Sequence, residues 1–374
     1  MTNLHRVAAA SAALFMLAGA AAADSIAPAD FSATLKVGES VTIKKKVTID
    51  AGSPTTAKVD VFFLADTTGS MGGQINAAKA NAGTIISSLS SLGNVQFGVG
   101  EYKDTFDSFT YRTNTGLTGN AADVTAGIGL WSAGGGGDFP EGNLIGLQRV
   151  AQETAWRDGS TRVIVQFGDA PGHVGRTDSK ADASGDFLVS DEANTLAALE
   201  DKGITVQIGN TDGTGPGGMN AADGGAAANQ ANRIAAATGG SVFTLSSSGE
   251  DIAALIKEAV EATFATYSKV ELLPVGNLPG VEVTTTGPIT GDFDRETTNT
   301  FDFEVTFKAL TEGTHKFSID ALVDGGFVAS EADTITVNGD GPGPGPAPIP
   351  LPAGLPLLIG ALGLGGLIVR RRKP

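Results

Sequence analysis

The apolar run VDVFFLA (residues 59–65) leads directly into DTTGS (66–70), an acid followed by three hydroxyl side chains. Asp66, Thr68 and Ser70 alternate along this stretch, so a loop there can turn three oxygen ligands towards one point. Two further acids stand at comparable places. Asp169 follows the apolar segment RVIVQFG (162–168), and Glu141 lies in the glycine-rich loop GGGGDFPEG (134–142). Two hydroxyls and three carboxylates, with no imidazole or thiolate among them, suit a hard cation that keeps some waters: Mg2+, Mn2+ or Ca2+ before Zn2+. Asp, Ser and Thr before a helix are also ordinary N-caps. DTTGS alone does not separate the two readings, but DTTGS with Glu141 and Asp169 favours the metal.

These residues need elements to hold them. VDVFFLA is a continuous apolar run of the kind found in a sheet covered on both faces. Met71, Ile75, Ala78, Ala82, Ile85, Leu89 and Leu92 then recur at helical spacing. Further strands are predicted at 95–102, 162–168, 204–210 and 241–245, with helices near 143–156, 190–201, 224–238 and 249–266. Their alternation predicts a doubly wound, mostly parallel α/β sheet flanked by helices, in which ligands bind beyond the carboxyl ends of the strands. Asp66 and Asp169 are at such ends. On either side of this region the apolar period is two. Val41, Ile43, Val47 and Ile49 alternate near the start, broken by a Gly-Glu turn, and VEVTTT, TFDFEVTF, HKFSIDALV and DTITV follow between 270 and 337. The later strands are few for a complete sandwich, so the early pair is expected to complete it, with the α/β domain inserted. The expected divisions are N-terminal sandwich strands at 24–57, the α/β domain at 58–268 and the rest of the sandwich at 269–338.

DTTGS followed by Met71 resembles the D-x-S/T-x-S motif of von Willebrand factor type A domains, over about 210 residues of alternating pattern. DFPEGNLIGLQRVAQETAWRDGSTRVIVQFGDA (138–170) looks like the A-type domain of integrin β subunits. That resemblance implies a metal-ion-dependent adhesion site with Thr68, Ser70 and Glu141 as direct ligands and Asp66 and Asp169 acting through water. It also implies a second site, suited to Ca2+, from Asp104, Asp138, the Pro140 carbonyl and a bridging Glu141, although Gly136 replaces an expected asparagine. A third integrin site is expected to be absent, because Gly72 and Gly73 stand where its acids would be.

Composition narrows the classes. The chain has 374 residues, no cysteine and 52 glycines, so it reads as globular and loop-rich, without disulfides or thiolate chemistry. Residues 1–23 have one arginine, an apolar centre and small residues before Asp24, the build of a cleaved secretory signal. At the other end, a Gly/Pro linker (339–350) precedes an apolar tail (351–374) that ends in RRRKP. A helix of about 19 apolar residues spans about 28 Å, close to a thin bilayer core, so a plain membrane anchor is one reading. Pro350, Leu351, Pro352 and Ala353, the apolar stretch and the basic end also resemble, in that order, the PEP-CTERM and VPLPA-CTERM sorting signals of Gram-negative exosortase substrates. That implies an exosortase-type processing enzyme, tail removal near Pro352 and display at the cell surface or in its matrix. Without both ends the body has 20 basic and 41 acidic side chains. Such an anionic body argues against nucleic-acid or anionic-lipid partners.

Two other features bear on function. GTGPGG (213–218) matches a dinucleotide fingerprint only formally, because it does not follow the first strand. His173 lies four residues beyond Asp169 and reads as a surface histidine, with no triad spacing. The functional expectation is a non-enzymatic, exported surface protein that binds a protein or polymer carboxylate through Mg2+ or Mn2+. A structural matrix or envelope scaffold with a metal-braced loop is the second reading, and a metal-dependent hydrolase the third.

Overall fold

The computed structural model describes residues 23–339 except 182–184, 186, 212–216, 247, 249–250 and 277. The leader, linker and tail expectations therefore lie almost wholly outside the described residues, as does most of GTGPGG. Among the described residues no helix is long and apolar enough to cross a membrane.

The chain opens with strands β1 (Ser25–Ala27), β2 (Asp30–Lys36) and β3 (Ser40–Ile49). An alternating unit follows: β4 (Ala57–Asp66), α1 (Gly72–Leu89), β5 (Gly93–Tyr102), β6 (Tyr111–Thr118), α2 (Ala121–Gly129), α3 (Asn143–Glu153) and β7 (Thr161–Gly168). It continues through the small hairpin β8 (Thr177–Ala181) and β9 (Phe187–Val189), then α4 (Glu192–Asp201), β10 (Ile204–Thr211), α5 (Gln230–Ala237), β11 (Val242–Leu245) and α6 (Ile252–Ala262). Six strands form β12 (Thr266–Val275), β13 (Val281–Thr285), β14 (Ile289–Asp294), β15 (Asn299–Ala309), β16 (Gly313–Val323) and β17 (Gly326–Asn338).

The central sheet has the order β11-β10-β7-β4-β5-β6 and is parallel except for β6. Period-two geometry explains why β4 is apolar from Val61 to Ala65. Val59, Val61, Phe63 and Ala65 enter the core built with α1 and α6, whereas Phe62 and Leu64 enter the core on the α3 to α5 side. β5 adds to one side of β4 and β7 to the other, so strand order reverses at β4. The crevice at the carboxyl ends of β4 and β7 is the place where such sheets bind ligands.

Apart from the β8–β9 hairpin, the remaining strands form two sheets, β1-β3-β15-β13 and β14-β12-β16-β17-β2, that enclose a separate core of Val47, Ile49, Phe303, Val305, Phe307, Ile319 and neighbours. β3 pairs antiparallel with β15 from Ser40↔Lys308 to Ile49↔Asn299, and β2 runs parallel to β17. Residues 57–262 thus lie, in sequence, between strands of one sandwich. Deleting 24–50 should unpair β15 and β17 and open this core, making the segment after Thr266 sensitive to limited proteolysis. A resistant 51–338 fragment would show that the sandwich stands without its first strands.

Several local expectations need correction. The first strands number three, because Ser25–Ala27 is too short to show a period. The segment from 103 to 142 contains β6 and α2, which the pattern did not reveal; β6 is a sheet-edge strand with no clean inside-outside alternation. The last helix of the α/β unit ends at Ala262, and β12 starts at Thr266.

Candidate metal centre

Asp66 ends β4 fully buried. Its Oδ1 accepts hydrogen bonds from the Thr68 backbone N–H (2.9 Å) and the Thr68 hydroxyl (2.7 Å), and its Oδ2 accepts none. Thr67 points the other way, donating to Glu101 (2.8 Å), which Arg112 and Asn114 also hold. The alternation along DTTGS is thus real at its first three residues. Ser70 follows, exposed, in a turn of 3-10 helix at Gly69–Met71.

The glycine-rich loop is laid across this turn. Gly134 N–H donates to Thr67 O (3.1 Å), Gly69 N–H to Gly135 O (3.1 Å) and Gly136 N–H to Asp107 (2.9 Å). Gly136 has φ +82°, and a Cβ there would sit 3.0 Å from Glu141 Oε1 and 3.2 Å from Thr68 Cβ. Both the backbone conformation and the close approach require glycine. Glu141 is fixed by its backbone, receiving the His173 N–H and donating its own N–H to Pro171 O, both at 2.9 Å. This short parallel bridge, Glu141↔Gly172, zips the DFPEG loop to the segment after β7. It brings Glu141 beside Asp169, itself 2% exposed.

Burial, then the neighbouring Asp169, pushes the Asp66 carboxyl up to about 7. Burial, then Asp66 and Asp104, pushes Glu141 up to about 10. The nearby Lys103 ammonium is directed at the carbonyls of Thr67, Gly134 and Ser132, and is the weakest of the influences on Asp66. Asp66 Oδ2 and Glu141 Oε2 are buried oxygens without a hydrogen-bond donor. Buried carboxylates with open lone pairs and little compensating positive charge fit a divalent cation.

A second group adjoins the first. Asp104, two residues beyond β5, is fully buried; Asp138 is about half-exposed. His173 Nε2 lies 3.0 Å from Asp138 Oδ1 and 3.4 Å from Asp104 Oδ1, and ligand atoms of all three residues lie within 4.8 Å of one another. These side chains are consistent with a divalent metal. His173 is therefore no surface histidine, since it is 2% exposed with its Nδ1 unpartnered. Spacing from Asp169 does not reveal this, because the bridge between Glu141 and Gly172 sets the position of the ring. Buried Pro140 precedes Glu141 in the same loop.

No protein-family model matches the chain. A stretch of 129 residues is 32% identical to the alpha-protein kinase vwkA of Dictyostelium discoideum, covering 33% of this chain and 20% of that protein. The chain thus spans about a fifth of that relative's length. Among solved structures, a von Willebrand factor type A protein from Catenulispora acidiphila aligns over 82% of this chain and 72% of its own, with a TM-score of 0.40 and 13% identity. The pilus adhesin SpaC from Lactobacillus rhamnosus GG aligns over 79% of this chain and 46% of its own, with a TM-score of 0.38 and 14% identity. TM-scores of this size assign this chain neither a family nor a function.

Proposed function

We propose that the chain is a metal-dependent binding module, in which a divalent cation held at the carboxyl edge of the central sheet receives a carboxylate from a protein or polymer ligand. The observation that carries this reading is the pair of buried, undonated oxygens, Asp66 Oδ2 and Glu141 Oε2, beside the exposed Ser70. Asp66, Thr68, Ser70, Glu141 and Asp169 would hold Mg2+ or Mn2+. Neutral Thr68 and Ser70 leave the ion electron-poor, so an acidic ligand supplies charge that the site withholds. Asp104, Asp138 and His173, with the Pro140 carbonyl and Glu141, would hold the second ion. An imidazole in that set favours Mn2+ over the Ca2+ expected of oxygens alone.

Phe106, 66% exposed, stands on the same edge with its ring 6.5 Å from that of His173 and Arg176 stacked on it at 4.8 Å. It offers an apolar anchor at the rim of the proposed contact. We assign no catalytic residue, since the His173 imidazole faces the two carboxylates of the second group. The scaffold reading is the alternative, and the burial of Asp66 and Glu141 favours it to the extent that an ion there braces the loops. Capture of envelope or matrix components in Mg2+ and not in EDTA tests between them.

Export and surface display belong to this proposal through the two chain ends. The mature protein, analysed by mass spectrometry, should lack Arg370 and everything after it. Replacing Pro350 and Pro352 should leave an uncut, membrane-associated form. An intact tail on wild-type protein from its own cells would instead support the plain anchor.

A further inference from the structure

The alternation of the two sandwich sheets is broken at three positions. In β3 the inward residues are Val41, Ile43, position 45, Val47 and Ile49, and position 45 is a lysine. In β17 the inward set Ala329, 331, 333, Ile335 and Val337 is interrupted by Glu331 and Asp333. All three side chains are fully buried, on facing sheets of the same core. Lys45 Nζ contacts Glu331 Oε1 and lies 3.3 Å from Asp333 Oδ1. Glu331 Oε2 and Asp333 Oδ2 accept no hydrogen bond, and the lysine nitrogen sits 5.8 Å from the centre of the Phe307 ring, which stacks on Phe31.

As an ion-paired cluster this arrangement is hard to account for. Desolvating a lysine and two acids costs several kcal/mol per ion, and apolar side chains at the same positions would fill the core without that penalty. Burial pushes both the Glu331 and the Asp333 carboxyls up, and the single Lys45 ammonium balances only one carboxylate in the dry core, so the other carboxyl is best accommodated as the acid. A buried amine held against a buried carboxylic acid, with a second carboxyl in contact with the amine, is also the set of groups needed to form an amide.

We propose that Lys45 and Asp333 condense into an intramolecular isopeptide bond, with Glu331 as the proton carrier. Glu331, as carboxylate, takes a proton from the Lys45 ammonium, and the freed Nζ lone pair attacks Cγ of the Asp333 acid. The new carbon–nitrogen bond is balanced by cleavage of one Asp333 carbon–oxygen bond. Glu331 hands a proton to the departing hydroxyl, and water leaves. Two protons depart in that water, one stays on the amide nitrogen and one rests on Glu331, so no oxidant or activating group is required. The closer contact of Lys45 Nζ is with Glu331 Oε1, which marks Glu331 as the proton acceptor and leaves Asp333, level with Phe31 in the β2–β17 register, as the acyl partner. Fixed proximity replaces a bimolecular encounter, and the dry core keeps out the water that would reverse the step. The link would tie the strand before the α/β unit to the strand after it, closing a loop between residues 288 apart in sequence.

Peptide mapping of the full-length protein, purified as cells make it, tests this. The Lys45 and Asp333 peptides should appear as one branched species, lighter than their sum by one water, with no tryptic cut after Lys45. The denatured chain should migrate faster on a gel than Lys45→Met, in which the loop is open. Glu331→Gln, which keeps the size of the side chain and removes the proton carrier, should give both peptides separate and at full mass. If either variant fails to fold, the wild type still decides. Two unmodified peptides from wild-type protein, or a branch at Glu331 instead of Asp333, would overturn the proposal.

Discussion

Mn2+ should stabilise the protein against unfolding, and the increment should grow as pH is raised from 5 to 8. The sign follows from the two buried acids. Asp66 is raised to about 7 from its ordinary 3.8, and Glu141 to about 10 from 4.5. Without metal, the folded state holds protons that the unfolded state has already released. Stability is then full below pH 4, falls as pH rises through the window from 3.8 to 7 for Asp66, and keeps falling towards 10 for Glu141. At about 1.4 kcal/mol per pH unit, Asp66 alone removes on the order of 4 kcal/mol from the metal-free protein by pH 8. A cation relieves this by taking the place of the protons, and its affinity rises with pH because its ligands must be ionised. At a hundredfold excess over Kd it adds about 2.7 kcal/mol.

Asp66→Asn gives the sharpest contrast. The amide cannot ionise, so in EDTA at pH 8 this variant should be more stable than wild type, and its Mn2+ response should shrink to what the second group of Asp104, Asp138 and His173 contributes. Melting curves at pH 5 and 8, in EDTA and in Mn2+, check both statements. Equal midpoints for EDTA-treated wild type at the two pH values, or a full Mn2+ response in Asp66→Asn, would remove the metal centre from consideration.

The sequence made some of this legible for identifiable reasons. β4 and α1 are readable because a strand buried on both faces must be continuously apolar and its covering helix must repeat every three or four residues. Glu141 and Asp169 are readable as acids because each stands in a recognisable loop or strand end. His173 is not, since its burial depends on Glu141 and Gly172 pairing although they stand 31 positions apart in sequence. β6 is hidden because an edge strand with exposed and half-buried residues on both faces carries no period. Lys45 was hidden differently. A search for alternating apolar residues finds Val41, Ile43, Val47 and Ile49 and passes over the position between them, where a charged residue in the inward phase was the informative one.

Ligand binding should separate from metal binding at Ser70. Asp66, Thr68, Glu141 and Asp169 are buried, whereas Ser70 is exposed at the end of the same loop, where an incoming carboxylate would meet the ion. Removing the Ser70 hydroxyl takes away one of the proposed ligands and leaves the buried acids in place. Ser70→Ala should therefore keep part of the Mn2+-induced stabilisation while losing binding to envelope or matrix partners by about tenfold or more, the effect of about 1.4 kcal/mol. Phe106→Ala should keep the whole Mn2+ response and still weaken binding, because a rim anchor contributes contact area and no metal ligand. EDTA should abolish binding by all three proteins. These outcomes distinguish recognition from bracing, because an ion that only braces the loops would make binding follow stability in every variant. A Phe106→Ala protein that binds like wild type, together with a Ser70→Ala protein whose binding falls only as far as its melting midpoint, would leave the braced scaffold as the better account.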